Sequence, residues 1–470
     1  MLFNSPQFLL FLILVAGINF ILRVANKRLF LLFASLFFIG FFNIASLAAV
    51  LFLSGFTFFV GSLIKGQRTN RLYYLALSVN VAAIMVFNYF LSVNSTLRFN
   101  FNSVDFNTES FLLMIGLSFY SLQHIAYLID VKKQRLVAEK IFTDFLLYSV
   151  YFPKFMSGPI ALHQQMRLQN WEDRPSGALM WQGFNRILMG FFKKMVIADR
   201  LAPSVHSIFD FNDTLPGLTV LAGGVLFTIQ LYFDFSGYCD IAIGASKLLG
   251  IELPENFDFP LRARSITSFW RKWHLSLIHF FTTYIFYPLS FKYRHLKKTA
   301  SAIAVLATFF VSALWHGLGF TFLLWAFCHT SYLLVELYFR KPNEPEKNRF
   351  RKGLKALSIF LLVSFSHLFF RSMSFGNCKH LISELFSTNF LPTNWRVDFI
   401  APIAVGGHQT EHFNFLVTIV FIALFLILER KIFSIFSSRA FRPLFSFLFV
   451  ILIFLFGVFN NGERFIYMQF

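Results

Sequence analysis

An all-α fold of many membrane-spanning helices is predicted by three features of this 470-residue chain. Apolar residues make up 56% of it and charged residues only 14%, whereas soluble domains carry about 25% charged residues. So little polar surface cannot cover a water-soluble body of this size. Apolar runs also recur at the length of about 20 residues that the hydrocarbon core of a bilayer demands. Finally, the basic residues fall between these runs on alternate sides, as expected of loops retained in the cytoplasm.

The early runs are 7–23, 29–47, 48–64, 72–93 and 111–129. Arg23, Lys27 and Arg28 follow the first, Lys65, Arg68 and Arg71 the third, and Lys132, Lys133 and Arg135 the fifth. The connections between are nearly bare: Asn43–Ser46 holds no Lys or Arg, and 94–110 holds only Arg98. Basic loops mark the cytoplasm, so the N-terminus is expected outside. Phe8–Leu22 lacks both a charged leader and a small-residue cleavage site, and reads as a first helix, not a signal peptide.

The middle, 141–296, breaks the pattern with Pro153, Gly158-Pro159, Pro203, Pro216, Pro254 and Pro260 amid many charges. Irregular backbone at membrane depth survives only when protein or a water-filled cavity surrounds it. Re-entrant and interfacial helices are therefore expected here; 178–200, which ends in Lys193, Lys194 and Arg200, suits an interfacial or short spanning helix. Clean spans resume at 299–315, 317–339, 354–371, 413–430 and 442–459. Lys292–Lys298 and Arg340–Lys355 place their flanks in the cytoplasm, which puts the turn at Gly317–Gly319 and the 372–412 loop outside. No tandem repeat appears, and 1–470 reads as one membrane domain.

The net charge of +19 belongs to these loops. No segment interleaves basic and aromatic residues as a nucleic-acid surface does. Cys239, Cys328 and Cys378 are too few and too scattered for a disulfide framework or a thiolate metal site. His274, His279 and His295 lack the paired spacing of a zinc site, and no metal is expected. The 70 phenylalanines read as filling for lipid-facing positions.

Ionisable residues at membrane depth are expensive and point to function. His316, in Trp315-His316-Gly317, ends the apolar run Ala300–Leu314 with no charged neighbour. An imidazole titrates near neutrality and can take the proton of an attacking hydroxyl. The stretch Ser265–Ser276 combines Arg271, Lys272 and His274 with Trp270 and Trp273; it suits either an anionic substrate or an interfacial belt. In Asp234-Phe235-Ser236-Gly237-Tyr238-Cys239-Asp240 two carboxylates need partners. Arg262, Arg264 and Arg271 are the expected ones; an acid/base pair or an ion path is the alternative.

Several of these segments resemble the membrane-bound O-acyltransferase family, in its bacterial branch of alginate O-acetyltransferase membrane subunits and teichoic acid D-alanyl transfer proteins. The resemblance is carried by QLYFDFSGYCDIAIGASKLLGIELPENFDFP at 230–260, RSITSFWRKWHLSL at 264–277 and SALWHGLGFTFLLWAFCH at 312–329. It extends to GLSFYSLQHIAYLIDV at 116–131, YFPKFMSGPI at 151–160 and the terminal FIYMQF. It implies a ring of about 10–13 helices around a thin core, with His316 as the family's catalytic histidine and His274 as its second. Substrate-binding candidates are Arg271, Trp273, Trp315, Asp234, Ser236 and Asp240. The implied donor is an acyl thioester, on coenzyme A or an acyl carrier protein, with no tightly bound cofactor. The implied acceptor is an extracytoplasmic polysaccharide or other cell-envelope glycopolymer, or an acyl-relay protein, reached from a bacterial inner membrane. One departure stands out: alginate-type members carry Arg-Asp where this chain has Thr282-Thr283, and Trp where it has Phe280. A membrane transporter or channel using Asp234, Asp240, His274 and His316 as an ion or proton path is the rival reading. It lacks the internal hydropathy repeat common in transporter folds.

Overall fold

Helices make up most of the described backbone in a computed structural model covering residues 3–23, 26–64, 70–93, 114–171, 173–210, 214–339, 348–372, 374–404, 409–437, 442–459 and 465–466. Among these residues no strand forms; the β-type contact is an isolated antiparallel bridge between Phe257 and Trp273.

Helix α1 (Pro6–Ile21) starts where Ser5 accepts the Phe8 amide, with Pro6 in the first turn, where a missing N–H does no harm. Asn43 alone separates α2 (Lys27–Phe42) from α3 (Ile44–Leu63). Its extended backbone, φ −161° and ψ 123°, ends the one, and its side chain accepts the Ala45 amide to start the other. The expected break at 47–48 therefore falls at Asn43. After α4 (Asn70–Val93), α5 (Leu117–Lys132) begins from Gly116 at φ 70°. A Cβ at Gly116 would meet the Phe155 carbonyl oxygen at 2.4 Å, so both the turn and the packing require glycine. The run expected at 111–129 thus starts at Leu117, and 111–113 lie outside the described residues.

The middle of the chain contains α6 (Phe142–Val150) and single helical turns at Phe152–Phe155 and His163–Arg167, as its prolines lead one to expect. Then α7 (Gly177–Phe191) passes into a π-helical stretch, Phe192–Ala198, and on into α8 (Asp199–Phe209), with Pro203 inside it. The wider turn re-aims the residues that follow. Lys193 and Lys194 end up buried, so they do not serve as the interfacial flank expected of 178–200. Nor is the whole region irregular: α9 (Gly217–Leu248) runs unbroken for 32 residues, since no proline falls between Pro216 and Pro254.

Next come the short α10 (Ile266–Trp270) and α11 (Leu275–Phe281), a π-helical turn at Thr282–Phe286, and α12 (Tyr287–Lys292). The last long elements are α13 (Lys298–His316), α14 (Phe320–Phe339), α15 (Arg349–Arg371), α16 (Phe375–Leu385), α17 (Gln409–Ser437) and α18 (Arg442–Phe456). Among the described residues six helices are long and apolar enough to cross a bilayer: α3, α4 through Phe90, α9, α13, α14 and α15. The chain is an all-α, multi-pass membrane protein.

Two compact units emerge, one from Met1–Gly190 and Tyr238–Glu255, the other from Phe191–Gly237 and Asn256–Ile466. In the first, α7 and the end of α9 cross backbone to backbone. A Cβ on Gly244 would lie 2.6 Å from the Gly183 carbonyl oxygen, and one on Gly183 would lie 2.7 Å from that of Gly244. Small residues at such a crossing let van der Waals packing hold membrane helices together. One turn on, Arg186 lies 2.5 Å from Asp240 and 2.5 Å from Glu255. The second unit holds the remaining candidate site residues.

Candidate active site

His316 is the last residue of α13; the helix closes there because the Gly317 amide returns to the Ala313 carbonyl at 3.0 Å. The imidazole is 3% exposed. It sits among Trp315, Trp325 and Phe370, at ring-centroid distances of 4.8, 5.2 and 5.0 Å. Trp315 also faces the His274 ring at 6.3 Å, so this indole stands between the two expected histidines.

His274 occupies a left-handed backbone conformation, φ 47° and ψ 53°. That costs a non-glycine residue about 1–3 kcal/mol and persists only where the surroundings dictate it. Here they do. The Asp258 amide binds the Lys272 carbonyl at 3.0 Å, and the Leu275 amide binds the Asn256 carbonyl at 2.9 Å. The chain is thus clamped on both sides of His274. Asn256 Oδ1 accepts the Ser276 amide at 3.1 Å and its hydroxyl at 2.9 Å, so this atom is the amide oxygen. Its contact with His274 Nδ1 at 3.2 Å therefore needs the proton on Nδ1, which leaves Nε2 as the basic nitrogen.

Two further buried histidines join the cluster, and the sequence reading passed over both. His329 lies on α14, with its ring 4.9 Å from Trp270, 5.2 Å from Trp325 and 6.5 Å from His367. Ser366 Oγ is 2.7 Å from the Val363 carbonyl and 2.9 Å from His329 Nε2. Were its single proton given to the ring, His329 Nδ1 would become a buried N–H; Nδ1 has no hydrogen-bond partner among the described residues. An orphaned donor is costly, so Ser366 donates to the carbonyl, His329 donates from Nε2, and Nδ1 carries a lone pair. Thr228 likewise donates to the Gly224 carbonyl at 2.8 Å and receives the Nδ1–H of His367 at 2.9 Å. The signal for both histidines was in view: an ionisable residue inside an apolar run, thirteen residues past His316 in one case and within 354–371 in the other.

The two aspartates go elsewhere. Asp234 Oδ1 lies 2.7 Å from Lys194 Nζ, and its Oδ2 accepts the Ile466 amide at 2.8 Å; the same ammonium reaches Asp199 at 2.8 Å. Asp240 belongs to the other unit, with Arg186. The expected partners Arg262, Arg264 and Arg271 are thereby replaced, because the π-helical turn and α7 deliver closer cations. Arg262 instead donates to the carbonyls of Leu426 and Ile427. Ser236 is buried and its hydroxyl has no partner among the described residues.

Arg271 is exposed and lines a cavity of about 830 Å³ between α10, α11, α13 and α14. Exposed Lys298 stands at one end of the α13 wall of this cavity and buried Phe309 at the other. Phe309 precedes His316 by seven residues, about 10 Å along a helix. Trp270 and Phe309 line the cavity, and both also meet the His329 ring, at 4.9 and 5.9 Å. Thr282 lines it too, so the position where alginate-type members carry a charge presents a neutral hydroxyl to this space. Phe280 is buried against Phe281 and Tyr284.

The described family model of membrane-bound O-acyltransferases matches residues 131–373, which include α13 and the histidine cluster. The peptidoglycan O-acetyltransferase of Helicobacter pylori is 30% identical over 83% of this chain and 80% of its own length. The probable alginate O-acetylase of Azotobacter vinelandii is 32% identical over 82% of this chain and 78% of its own. The teichoic acid D-alanyltransferase of Bacillus subtilis is 26% identical over 57% and 71%. A buried imidazole cluster inside a multi-pass helical body, matched along this length, leads to one assignment: the chain belongs to the membrane-bound O-acyltransferase family and is an O-acyltransferase.

Proposed function

We propose that the chain moves an acyl group, acetyl by preference, from a cytoplasmic thioester to a hydroxyl of an extracytoplasmic polysaccharide or of an acyl-relay partner. His316 is the general base. The observation that carries this reading is the burial of His316 in an imidazole and indole cluster whose Trp270 ring also lines the cavity that holds Arg271 and Lys298. The acceptor oxygen attacks the thioester carbonyl carbon while its proton passes to the His316 imidazole. Collapse of the tetrahedral adduct breaks the C–S bond, and the thiolate takes that proton as it leaves. Arg271 and Lys298 suit the phosphates carried by coenzyme A or by a phosphopantetheine arm. His274, with Nε2 as its acceptor nitrogen, positions substrate or assists the proton transfer.

Acetyl is preferred because two relatives that each match more than four-fifths of the chain are, by name, O-acetyl-transferring proteins. Their named polymers, peptidoglycan and alginate, support a glycopolymer acceptor. The charge alternation supports an inner-membrane placement with the N-terminus outside. Asp234 and Asp240 each hold a cation at ion-pair distance, which suits a structural role better than the transport path of the rival reading. Inverted membranes supplied with labelled acetyl coenzyme A, or with an acetylated carrier protein, test the donor. The proposal expects thiol release from one of the two that depends on this chain; label retained on both thioesters would contradict it.

A further inference from the structure

Trp325 is 2% exposed, and its Nε1–H, a strong donor, meets no acceptor among the described residues. Buried indole N–H groups find a partner as a rule, and leaving one unmet in a membrane core is costly. Its ring lies nearly perpendicular to the His316 imidazole, centroids 5.2 Å apart at an interplanar angle of 83°. On its other sides it meets Phe370 at 5.4 Å, His329 at 5.2 Å and Trp270, a wall of the large cavity, at 5.9 Å. With Phe309 at 6.0 Å, five rings hold the indole in place, and it links His316 to Trp270 and Phe309, which line the cavity from which the thioester is proposed to approach.

From this geometry we infer that the Trp325 N–H is the oxyanion donor of the acyl transfer. The inference rests on the function proposed above. When the acceptor hydroxyl adds to the thioester carbonyl, the C–O bond forms, the carbonyl π pair moves onto oxygen, and the hydroxyl proton goes to His316. The new alkoxide then accepts a hydrogen bond from Nε1–H. When the C–S bond breaks, the electron pair returns to the carbonyl, the thiolate takes the proton from the imidazolium, and the N–H is released unchanged. A fixed donor in a water-free site needs no reorganisation as the charge appears, which is why such donors weigh heavily in catalysis. Arg271, a substrate-binding candidate in the sequence, is exposed and suits the donor's phosphates.

The test replaces Trp325 with benzothienylalanine, in which sulfur takes the place of N–H and the bicyclic shape is kept, alongside Trp325→Phe and His316→Ala. Each variant is quantified in the membrane, its melting temperature is measured in detergent, and the initial rate of labelled acetyl incorporation into envelope polysaccharide is followed in cells. Loss of one oxyanion donor lowers turnover by about 100-fold, so that loss is expected of the benzothienyl variant at an unchanged membrane level and melting temperature. Retention of the wild-type rate would overturn the assignment, as would a Trp325→Phe defect that the benzothienyl side chain repairs, since the ring alone would then matter. Full activity in His316→Ala would instead overturn the function on which the inference rests.

Discussion

Lys194 and Asp234 meet at 2.7 Å with both side chains buried, and Asp199 closes on the same ammonium at 2.8 Å. Breaking a buried pair from one side leaves an uncompensated charge and costs about 3–5 kcal/mol. Lys194→Met keeps the length of the side chain but strands two carboxylates. It is expected to abolish accumulation in the membrane, whereas Lys194→Met combined with Asp199→Asn and Asp234→Asn recovers part of it. Quantitative blotting of membrane fractions checks both; equal loss in the triple variant would show that the packing, not the charge, was at stake.

Asn256 is the positioning residue for His274, since one amide oxygen receives the imidazole and both donors of Ser276. Asn256→Ala therefore releases both the tautomer and the left-handed turn, and is expected to lower acylation as far as His274→Ala does. The double variant should be no worse than either single one, because groups acting as a unit are not additive. Fully additive losses in initial rate would separate the two residues.

Gly183 and Gly244 let α7 and α9 touch. Gly244→Leu forces a side chain into the Gly183 carbonyl and is expected to cost at least the about 1–3 kcal/mol of an overpacked core. Thermal unfolding in detergent should show a clear fall in midpoint; an unchanged midpoint would mean that the helices do not cross so closely.

A pH signature is expected at the end of α8. Burial alone would raise the Asp210 carboxyl, but the His206 ring at 2.7 Å and the Arg371 guanidinium at 3.4 Å hold it below its ordinary value. A carboxyl depressed on folding adds stability that is present above its unfolded pKa of about 3.9 and lost as pH falls through the lower folded value. The pair is partly exposed, so its worth is about 1 kcal/mol at most. The melting-temperature gap between wild type and Asp210→Asn should thus hold from neutral pH down to about 4 and close below that. A gap that persists in acid would locate the effect in the shape of the side chain.

Much of this architecture was legible because hydropathy and loop charge report directly on the bilayer. The runs at 299–315, 317–339 and 354–371 coincide closely with α13, α14 and α15, and Trp315-His316-Gly317 does end a helix. Pairing was less legible. Lys194 looked like a flank until the π-helical stretch Phe192–Ala198 turned it inward, and nothing in a linear pattern signals the one extra residue in a turn. Asp234 and Asp240 were correctly seen to need cations, but those cations come from 40 and 54 residues upstream, beyond the reach of local spacing. Trp325, His329 and His367 were hidden among 70 phenylalanines; in a chain so rich in aromatic residues, an indole or imidazole in an apolar run announces little until its neighbours are known.

The central claim, that the chain acylates hydroxyls with His316 as base, is tested most directly by the ester content of surface polysaccharide. Three strains are compared: wild type, His316→Ala and one lacking the chain, with the variant shown by blot to be present in the membrane. The account predicts ester content that falls to the same level in the variant as in the strain without the chain. Full acylation by His316→Ala would contradict it and reduce that histidine to a packed residue of the core.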